Sequence, residues 1–326
     1  MKYLINDSHD AYFNIAMDTW MLRNLKQAEP IFRLWQNDRS IIVGKNQNTF
    51  AEINQEYVDE HDIKVVRRMT GGGAVYHDLQ NINFTFIVPV ADPSKVNFKE
   101  FVQPMVDALH DIGVPAEING RNDLLLDGKK ISGNAQRYER GYLIHHGTLM
   151  FDVDVETMVR SLNVADEKFI SKAAKSVRSR VGNIKAFAGQ NSVLDFLAVV
   201  QTRLADGDSE LVLDASQLAE IEQLRDEQFS QWAWNYGQSP EFTYNKHERF
   251  DAGTIELHAN VEAGIIQAIR FTGDYLGWED IADFEAYFIG QPFTKQAVED
   301  VLAKVSVTNY FGEKVTANNI ISLFES

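Results

Sequence analysis

The chain contains no cysteine, and this absence excludes several kinds of chemistry at once. Without thiols there is no disulfide, no thiolate-bound zinc or iron–sulfur site and no cysteine nucleophile. Long apolar runs are missing too, since no stretch approaches the roughly 18–20 residues of a transmembrane helix. The first residues, Met1–Ala11, lack the apolar segment of a secretory signal. We therefore expect a soluble, cytoplasmic protein that does not associate with a membrane.

Basic residues are few, because 31 lysines and arginines stand against 47 acidic residues, for a net charge of −16. A surface of that sign has no general affinity for nucleic acid or anionic lipid, so nucleic acid is not an expected partner. Any anion site must be a local basic cluster. The apolar fraction of 44% excludes global disorder, and 326 residues predict about two domains.

Apolar spacing predicts helices and strands that do not alternate regularly along the chain. The expected helices are Ala11–Leu25 with Asp10 as its cap, Ile53–His61, Phe98–Ile112, Val155–Leu162, Val193–Ala205, Ala215–Trp232, Thr294–Lys304 and Ala317–Phe324. The expected strands are Lys2–Ile5, Ile31–Trp35, Ser40–Val43, Ile63–Arg68, Asn81–Val88, Leu124–Leu126, Lys129–Ser132, Tyr142–Phe151, Phe250–His258 and Ile265–Thr272. This order predicts an α+β fold with a mixed, mostly antiparallel sheet.

Three segments within this pattern carry further expectations. Asn81–Val88 alternates apolar and polar residues, which predicts a strand with one buried face and one solvent face. The pair Asp127-Gly128 is typical of a type I′ hairpin turn. The turn-rich stretch Asn235–Lys246 predicts a linker. We therefore expect a large domain over residues 1–245 and a small α+β domain over residues 246–326.

The segment Arg67–Asp78, RRMTGGGAVYHD, places three consecutive glycines after two arginines. Ordering glycine is entropically unfavourable, which is tolerated where the backbone takes a positive φ or lets a ligand approach. The N–H groups of such a loop bind anions, and an arginine fork suits phosphate or carboxylate. A plain glycine turn with surface arginines is the alternative. The flanking residues favour a ligand-binding loop.

The segment Gly120–Gly133, GRNDLLLDGKKISG, carries two adjacent lysines, Lys129 and Lys130, after the predicted turn. Asn122 and Asp123 precede that turn. Adjacent residues of a strand point to opposite faces, so one lysine can reach a site while the other is solvated. A fully solvated pair is the alternative.

A second basic segment, Ser171–Lys185, holds five basic residues and no acidic one. It predicts either a loop that closes over phosphates or a solvated loop. Several known patterns do not occur, among them the P-loop, the dinucleotide fingerprint, H-E-x-x-H and G-x-S-x-G. His145 and His146 point to opposite faces of a predicted strand, so we do not expect them to bind one metal ion together.

Four motifs in this order resemble the lipoate–protein ligase A family: RRMTGGGAVYHD, GRNDLLLDGKKISGNAQ, HHGTLMF and KSVRSRVGNI. The similarity continues through NIAMDTWML at Asn14–Leu22, LWQN at Leu34–Asn37, WAWNYGQSPEF at Trp232–Phe242 and ERFDAGTIELH at Glu248–His258. It therefore runs through nearly the whole chain. One departure is Thr70, where the motif often has serine, although either hydroxyl makes the same hydrogen bond.

The resemblance implies a biotin/lipoyl-ligase catalytic domain, related to class II aminoacyl-tRNA synthetases, followed by a small C-terminal domain. It implies an enzyme that uses ATP and Mg²⁺ to convert lipoate into lipoyl-AMP and pyrophosphate. The lipoyl group then passes to one lysine of an apo lipoyl domain. The implied partners are the acyltransferase subunits of 2-oxo-acid dehydrogenase complexes and the glycine-cleavage H protein. The family's fold can act as a monomer.

The resemblance also implies roles for individual residues. Lys130 would bridge the lipoyl carbonyl and the α-phosphate, Arg68 would hold lipoate and phosphate, and Asp123 would serve the nucleotide and its metal ion. These three are the implied catalytic residues. The other implied nucleotide contacts are Gly73, Ala74, Val75, Tyr76, Asn122, Val177 and Arg178. The residues implied to line or support the lipoyl pocket are Asp18, Trp35, Thr70, Gly72, His77, His146 and Thr148.

The absence of cysteine separates activities within this superfamily. Related octanoyl- and lipoyl-transferases form a thioester on an enzyme cysteine, which this chain cannot do. We therefore favour the ATP-dependent ligase. Two alternatives stay open at this point: a ligase for another acid, such as octanoate or biotin, and a lipoate-binding or acyl-adenylate-binding regulator without turnover. The presence of Arg68, Lys130 and Asp123 argues against the regulator.

Overall fold

The computed structural model describes residues 1–25, 28–92, 96–119, 122–162, 180–189, 192–205, 207, 209–236, 244–262 and 264–324. Its strands are β1 (Lys2–Leu4), β2 (Ile31–Trp35), β3 (Ser40–Val43), β4 (Lys64–Arg67), β5 (Val75–His77), β6 (Asn81–Pro89), β7 (Glu117–Asn119), β8 (Asp123–Leu126), β9 (Lys129–Glu139), β10 (Tyr142–Met150), β11 (Ser209–Glu210), β12 (Tyr244–Phe250), β13 (Gly253–Glu262) and β14 (Ile265–Gly273). Its helices are α1 (Ala11–Asn24), α2 (Thr49–Glu52), α3 (Gln55–Glu60), α4 (Phe98–Asp111), α5 (Val155–Ser161), α6 (Val193–Leu204), α7 (Ala215–Leu224), α8 (Trp232–Asn235), α9 (Ile281–Ala286), α10 (Lys295–Leu302), α11 (Val307–Phe311) and α12 (Ala317–Ser322). In this part of the chain, no helix combines the length and the apolar character needed to cross a bilayer.

The large sheet has eight strands in the order β11-β1-β2-β6-β10-β9-β8-β7. Its centre is antiparallel, whereas β1 pairs parallel with both β2 and β11. This confirms the expected α+β fold with a mixed, mostly antiparallel sheet. Asp127 and Gly128, which join β8 to β9, have φ values of 51° and 71°. Positive φ at both turn residues is what a type I′ turn requires, so the predicted hairpin is confirmed.

Helices cover both faces of the large sheet. On one face α4 and α6 pack against β2 and β6, and Phe84 and Phe196 are fully buried there. On the other face α1 crosses the strands and is buried almost all round, from Ala11 to Leu22. The Asp10 carboxylate accepts a hydrogen bond from the Tyr12 N–H and caps α1, as predicted.

Strand β6 differs from its prediction, because both of its faces are buried. Asn81, Asn83 and Thr85, which the alternation assigned to solvent, are at most 1% exposed. Helix α1 lies over this face, and the Thr85 hydroxyl donates to the Asp18 carboxylate at 3.0 Å. The prediction of a solvent face was wrong because α1 and neighbouring polar side chains, and not water, cover this face.

A three-stranded sheet, β4-β3-β5, brings the glycines to the large sheet. Strand β3 pairs parallel with β4 and antiparallel with β5. Residues 68–74 connect β4 to β5, and we call them the glycine segment. At the end of β5 the His77 ring lies edge-on to Trp35 of β2, with 6.2 Å between ring centroids. The glycine segment therefore lies between the two sheets.

The C-terminal part is built on the sheet β12-β13-β14 and has an apolar core of its own. The predicted C-terminal hairpin is confirmed as β13 and β14. Strand β12 was not expected, because it lies partly within the turn-rich stretch that predicted a linker. Residues 237–243 of that stretch lie outside the described residues. The domain boundary at residues 245 and 246 stays a prediction.

The C-terminal part contacts the N-terminal part at the glycine segment. The Gly72 N–H donates to the Tyr275 carbonyl at 3.2 Å, and the Gly273 N–H donates to the Asn46 carbonyl at 2.9 Å. The Lys45 ammonium lies 2.6 Å from the Asp280 carboxylate. The loop between β14 and α9 is therefore packed directly against the loops that flank β3 and β4.

Two predicted helices are interrupted. In place of a helix over Ile53–His61, Ile53 forms an isolated bridge with Leu162, and the Asn54 side chain caps α3 by accepting from the Tyr57 N–H. In place of one helix over Ala215–Trp232, α7 runs into a π-helical turn at Arg225–Phe229, and the extended Gln231 ends it before α8. The cap at Asn54 begins a shorter helix than the apolar spacing predicted. The π-helical turn at Arg225–Phe229 interrupts the regular spacing of the other predicted helix.

Candidate active site

A cavity of about 110 Å³ opens between the glycine segment and the large sheet. Residues from α1, β2, β3, β5, β6, β9 and β10 contribute to its wall. The lining residues are Ile15, Trp35, Ile42, Arg68, Gly72, Gly73, Ala74, Val75, His77, Asn83, Asn122, Lys130, Gly133, Asn134, Ala135, His146, Gly147 and Thr148. The sequence motifs that are far apart along the chain therefore meet around one space.

The glycine segment takes a path that a side chain would obstruct. Gly72 has a φ of 90°, a conformation that only glycine adopts without strain. A Cβ atom on Gly71 would lie 2.6 Å from the Tyr275 carbonyl oxygen. The predicted requirement for glycine is confirmed at both positions, in one case by the backbone angle and in the other by close packing.

Arg68 is buried, and its guanidinium holds the glycine segment in place. It donates to the Gly71 carbonyl at 2.6 Å and to the Gly73 carbonyl at 2.9 Å. It also donates to the Ile42 carbonyl and to the Thr70 hydroxyl, both at 2.9 Å. Burial, together with the nearby Arg67 guanidinium, lowers the pKa of Arg68 to about 10, so it stays charged at neutral pH. In this structure its guanidinium forms part of the cavity wall and holds the glycine segment in shape.

A chain of hydrogen bonds runs from Arg68 to helix α1. The Thr70 hydroxyl lies 2.7 Å from Nε2 of His146, and Nδ1 of His146 lies 3.2 Å from the Asp18 carboxylate. Because the carboxylate can only accept, Nδ1 carries the proton and Nε2 accepts from Thr70. His146 lines the cavity, whereas Thr70 and Asp18 lie behind it. The network fixes the His146 ring between two buried groups.

Asp18 and Arg33 form a buried ion pair beneath the cavity. Nη2 of Arg33 and a carboxylate oxygen of Asp18 are 2.9 Å apart, and the side chains are 0% and 3% exposed. Burial alone would raise the pKa of Asp18, but the Arg33 charge and the hydrogen bonds from His146 and Thr85 hold this pKa below its ordinary value. Asp18 is therefore an anion that orients its neighbours.

His77 lies in the cavity wall as an uncharged ring. Burial, together with the Arg68 charge nearby, lowers the pKa of His77 to about 3. One ring nitrogen, Nδ1, lies 3.1 Å from the amide nitrogen of Asn37. A neutral imidazole at this place has one donor and one acceptor nitrogen, and the Asn37 contact determines which is which.

Lys130 and Asp123 form an ion pair at the more open end of the cavity. Nζ of Lys130 lies 2.8 Å from Asp123 Oδ1, and the side chains are 40% and 32% exposed. A Cβ atom on Gly133 would lie 3.2 Å from Nζ, so the ammonium extends over Gly133. Lys129 is exposed and does not line the cavity. The prediction that the two lysines point to different sides is confirmed.

The two histidines of the HHGTLMF motif also face opposite sides. His146 lines the cavity, while His145 is fully buried on the other face, within 6.2 Å of the rings of Phe98 and Phe101. Burial lowers the pKa of His145 to about 3. Its ring contacts Asn134 and Gln136. His145 therefore supports the sheet and has no access to the cavity.

Most residues that the resemblance implied do line the cavity, and some do not. Tyr76 is buried with Ile41 and Val65 on the far side of the small sheet, so only its main chain could meet a ligand. Asp123 reaches the site through Lys130. Val177 and Arg178 lie outside the described residues. The roles of all these residues stay predictions.

Sequence reasoning missed part of the wall. The cavity residues that were not singled out are Ile15, Ile42, Asn83, Gly133, Asn134, Ala135 and Gly147. Asn83 carries no signal in the sequence, because the alternation along β6 assigned it to a solvent face. Ile15 and Ile42 carry none either, since they look like ordinary core residues.

The fit of the site to a Mg²⁺ ion depends on the carboxylates that the site offers. Among the described residues, no group of three or more His, Cys, Asp or Glu side chains could hold a metal. Mg²⁺ bound with a nucleotide needs only one or two carboxylates besides the phosphates. The half-exposed Asp123 can provide one of them. The residues present therefore fit a metal that arrives with its nucleotide.

A second cavity, of about 440 Å³, adjoins the first and shares Asn134 and Ala135 with it. Its other walls are the start of α4, around Phe98, and the C-terminal segment around Trp278. The two cavities are therefore neighbours, and the C-terminal part contributes a wall to the second one.

Residues 10–205 match the family described as lipoyl protein ligase A/B catalytic domain. Residues 239–324 match the family described as bacterial lipoate protein ligase C-terminus. Fold, cleft and matches together define the class: a lipoyl-ligase catalytic domain followed by an accessory domain. The chain belongs to the lipoate–protein ligase family and is an enzyme of the ligase class.

Similar proteins span the whole chain. Lipoate-protein ligase LplJ of Bacillus subtilis is 39% identical over 330 residues, which covers 99% of each chain. The crystal structure of LipL1 from P. falciparum in complex with lipoate has a TM-score of 0.82 at 25% identity, with 99% of each chain covered. A crystal structure of lipoate-protein ligase A bound with ATP has a TM-score of 0.61 at 25% identity and covers 72% of this chain and 98% of that chain.

Proposed function

We propose that this enzyme joins lipoate to ATP, releases pyrophosphate, and then passes the lipoyl group from lipoyl-AMP to a lysine of an apo lipoyl domain. The observation that carries the proposal is one cavity with an exposed cation at its open end and an uncharged, buried far end. Lys130 and the glycine segment form the open end, and Trp35, which is 2% exposed, lies at the far end. An amphiphilic acid fits that polarity.

The first half-reaction brings two anions together. A carboxylate oxygen of lipoate attacks the α-phosphorus of ATP, and the bond from this phosphorus to the bridging oxygen of pyrophosphate breaks. Catalysis then depends on charge neutralisation and alignment rather than on a protein nucleophile. Lys130 stands where it can neutralise charge on both reactants. The N–H groups of the glycine segment other than that of Gly72, which donates to the Tyr275 carbonyl, add oriented dipoles.

Arg68 and His146 act here as positioning residues. Arg68 keeps the carbonyls of Gly71 and Gly73 turned toward itself, so the cavity side of the segment stays free of carbonyl oxygens from these two residues. His146 is held by Thr70 and Asp18. Both arrangements remain in place before substrate arrives, which limits reorganisation during the reaction.

Asp123 would hold Mg²⁺ together with the phosphates. The ion would supply charge neutralisation for the leaving pyrophosphate. Asp123 itself orients Lys130 through the 2.8 Å ion pair, which keeps the ammonium over Gly133. Releasing part of that pairing to phosphate oxygens would let the lysine contact the α-phosphate.

The second half-reaction needs no side-chain nucleophile from the enzyme. The lysine amine of the carrier attacks the lipoyl carbonyl carbon, AMP leaves, and the new amide nitrogen loses a proton to solvent. We propose the acyltransferase subunits of 2-oxo-acid dehydrogenase complexes and the glycine-cleavage H protein as carriers. A chain without cysteine requires a route of this kind, because a thioester intermediate is impossible.

The test is to incubate the purified protein with ATP, Mg²⁺, lipoate and an apo lipoyl domain, and to measure the intact mass of the domain. We expect a gain equal to one lipoyl group that requires ATP. Lipoate-dependent exchange of pyrophosphate into ATP reports the first half-reaction separately. Exchange with octanoate or biotin but not with lipoate would contradict the assignment of the acid, and no exchange with any acid would contradict the activation step.

A further inference from the structure

Two buried hydrogen-bond donors without partners lie at the inner end of the cavity, which we define by Trp35, His77 and Asn83. Among the residues that the structure describes, Nε2 of His77 and Nδ2 of Asn83 have no hydrogen-bond partner. The residues are 3% and 1% exposed, and both line the cavity. A buried polar atom without a partner is unfavourable, so its presence at a ligand cavity calls for a reason.

The proton on His77 can be assigned from the surrounding amides. The Asn14 amide nitrogen faces two main-chain carbonyls, of Ser8 at 2.7 Å and of Gln36 at 3.1 Å, so it must be the donor. It also faces Oδ1 of Asn37 at 3.0 Å, which leaves Nδ2 of Asn37 facing His77. Nδ1 of His77 therefore accepts a hydrogen bond, and Nε2 carries the proton.

In the orientation that the structure records, Asn83 presents the second donor. Its Oδ1 accepts from the Asn81 amide at 2.9 Å, which leaves the two N–H bonds of Nδ2 unused. Asn83 is also the cross-strand neighbour of Trp35 on β2. Both donors are therefore at the Trp35 end of the cavity.

The position of the donors relative to Lys130 determines which part of a substrate they meet. Across the large sheet, Asn83 pairs with Thr148, and the Thr148 hydroxyl accepts from the Gly133 N–H at 3.2 Å. Gly133 lies beneath the Lys130 ammonium. Two strand spacings of about 4.8 Å separate Asn83 from Gly133, a distance of roughly 10 Å. An acid whose carboxylate meets Lys130 would place the seventh or eighth carbon of its chain beside Asn83 and His77.

We infer that His77 Nε2–H and Asn83 Nδ2–H select acids that carry hydrogen-bond acceptors at the far end of the acyl chain, as the sulfur atoms of a 1,2-dithiolane ring do. A saturated chain of the same length leaves both donors unsatisfied inside the cavity. Sites with buried polar groups reject analogues that lack the matching group far better than apolar pockets do. This inference rests on the proposed function, since it assumes that the carboxylate lies at Lys130.

The matched probe is 5-cyclopentylpentanoate, which has the five-membered ring and side chain of lipoate with carbon in place of both sulfurs. We would measure kcat/KM for pyrophosphate exchange with each acid and take the ratio of lipoate to the carbocycle. We expect the wild-type ratio to exceed about ten, because a typical hydrogen bond corresponds to about fivefold and two donors are involved. His77→Phe and Asn83→Leu should each lower the ratio several-fold.

The direction of change separates selectivity from general damage. Loss of a donor should lower kcat/KM for lipoate by a larger factor than kcat/KM for the carbocycle, whereas general damage should lower both equally. Asn83→Leu provides a second route to the answer if His77→Phe fails to fold, because it leaves the Asn37 contact intact. His61→Phe, on the surface and stacked on Tyr57, is the matched histidine control and should leave the ratio at its wild-type value.

Equal ratios in wild type and in both variants, with both acids turned over, would overturn the inference while the ligase activity stood. Absence of exchange with both acids in the wild type would overturn the proposed function, and the inference with it. The two failures are therefore distinguishable in one set of assays.

Discussion

The ammonium of Lys130 lies 2.8 Å from the Asp123 carboxylate across the β8–β9 hairpin, at the open end of a cavity whose other end is buried. The pair is 32–40% exposed, so it contributes at most about 1 kcal/mol to stability. Its importance is therefore expected in catalysis and not in folding.

Lys130→Ala should lower the rate of lipoyl-AMP formation by about 10²–10³-fold, because one preorganised cation is lost from the transition state. The melting temperature should stay within about a degree of wild type. Lys129→Ala removes the neighbouring solvent-facing lysine and is the control. A Lys130→Ala enzyme with wild-type pyrophosphate exchange would show that the site is assigned to the wrong lysine.

Gly71→Ala tests the contact between the glycine segment and the C-terminal part. The new Cβ would lie 2.6 Å from the Tyr275 carbonyl oxygen, so one side must move. We expect a loss of about 1–3 kcal/mol in the free energy of unfolding, measured with urea, together with slower exchange. Gly189→Ala, where a Cβ would meet no atom within 4 Å, serves as the control. Equal stability of the two variants would contradict the packing described here.

Asp18→Asn should destabilise the protein by about 3–5 kcal/mol, since it leaves the Arg33 guanidinium buried without a counter-charge. The same substitution at an exposed ion pair, Asp152→Asn beside Lys185, should change stability by less than about 1 kcal/mol. Urea unfolding of both variants provides the comparison. If both changes were equally small, Arg33 would have to be satisfied without Asp18.

Stability should fall as pH rises through the titration of Glu285. Burial raises the pKa of this carboxyl group to about 7, from an ordinary value of 4.5. Between these values the folded chain keeps a proton that the unfolded chain releases, so stability is lost as pH rises from about 4.5 to 7. The shift corresponds to about 3 kcal/mol.

The measurement is urea unfolding at pH 5, 6, 7 and 8 for the wild type and Glu285→Gln. Glutamine keeps an acceptor for the Phe271 N–H, which donates to Glu285 Oε1 at 2.8 Å, and it removes the titration. Its stability should therefore depend less on pH over this range. Glu262→Gln, an exposed position, is the control. Parallel pH curves for Glu285→Gln and wild type would contradict the assignment.

Local patterns predicted much of the secondary structure. The spacing of apolar residues placed α1, α4, α6 and β10 to within about one residue, because each buries a continuous apolar stripe or face. Asp127-Gly128 predicted its own turn, since positive φ is a local property. The predictions failed where neighbours mattered: the polar face of β6 is covered by α1, and Asn54 caps a new helix inside the stretch predicted as one.

The residues of the candidate site also fall into those that the sequence predicted and those that only the structure revealed. Sequence reasoning found the glycine segment and the lysine pair, because glycine runs and adjacent charges are conspicuous in any order. It did not find Asn83, and it had no means to identify Asn37 as the residue that places the proton of His77. Those assignments need the distances between side chains 23 to 40 residues apart in the chain.

What the sequence determined by itself is the chemistry that is possible: without cysteine there is no thioester route, and with three glycines, two arginines and a lysine pair there is a means to bind anions. Only the tertiary structure decided which groups share a cavity, because strand pairing brings β6, β9 and β10 side by side and α1 closes the face above them. It also decided that Lys130 and not Lys129 reaches that cavity, and that Arg68 holds the glycine segment in place. The physical reason is that burial and pairing depend on what covers a residue, and the covering elements come from distant parts of the chain.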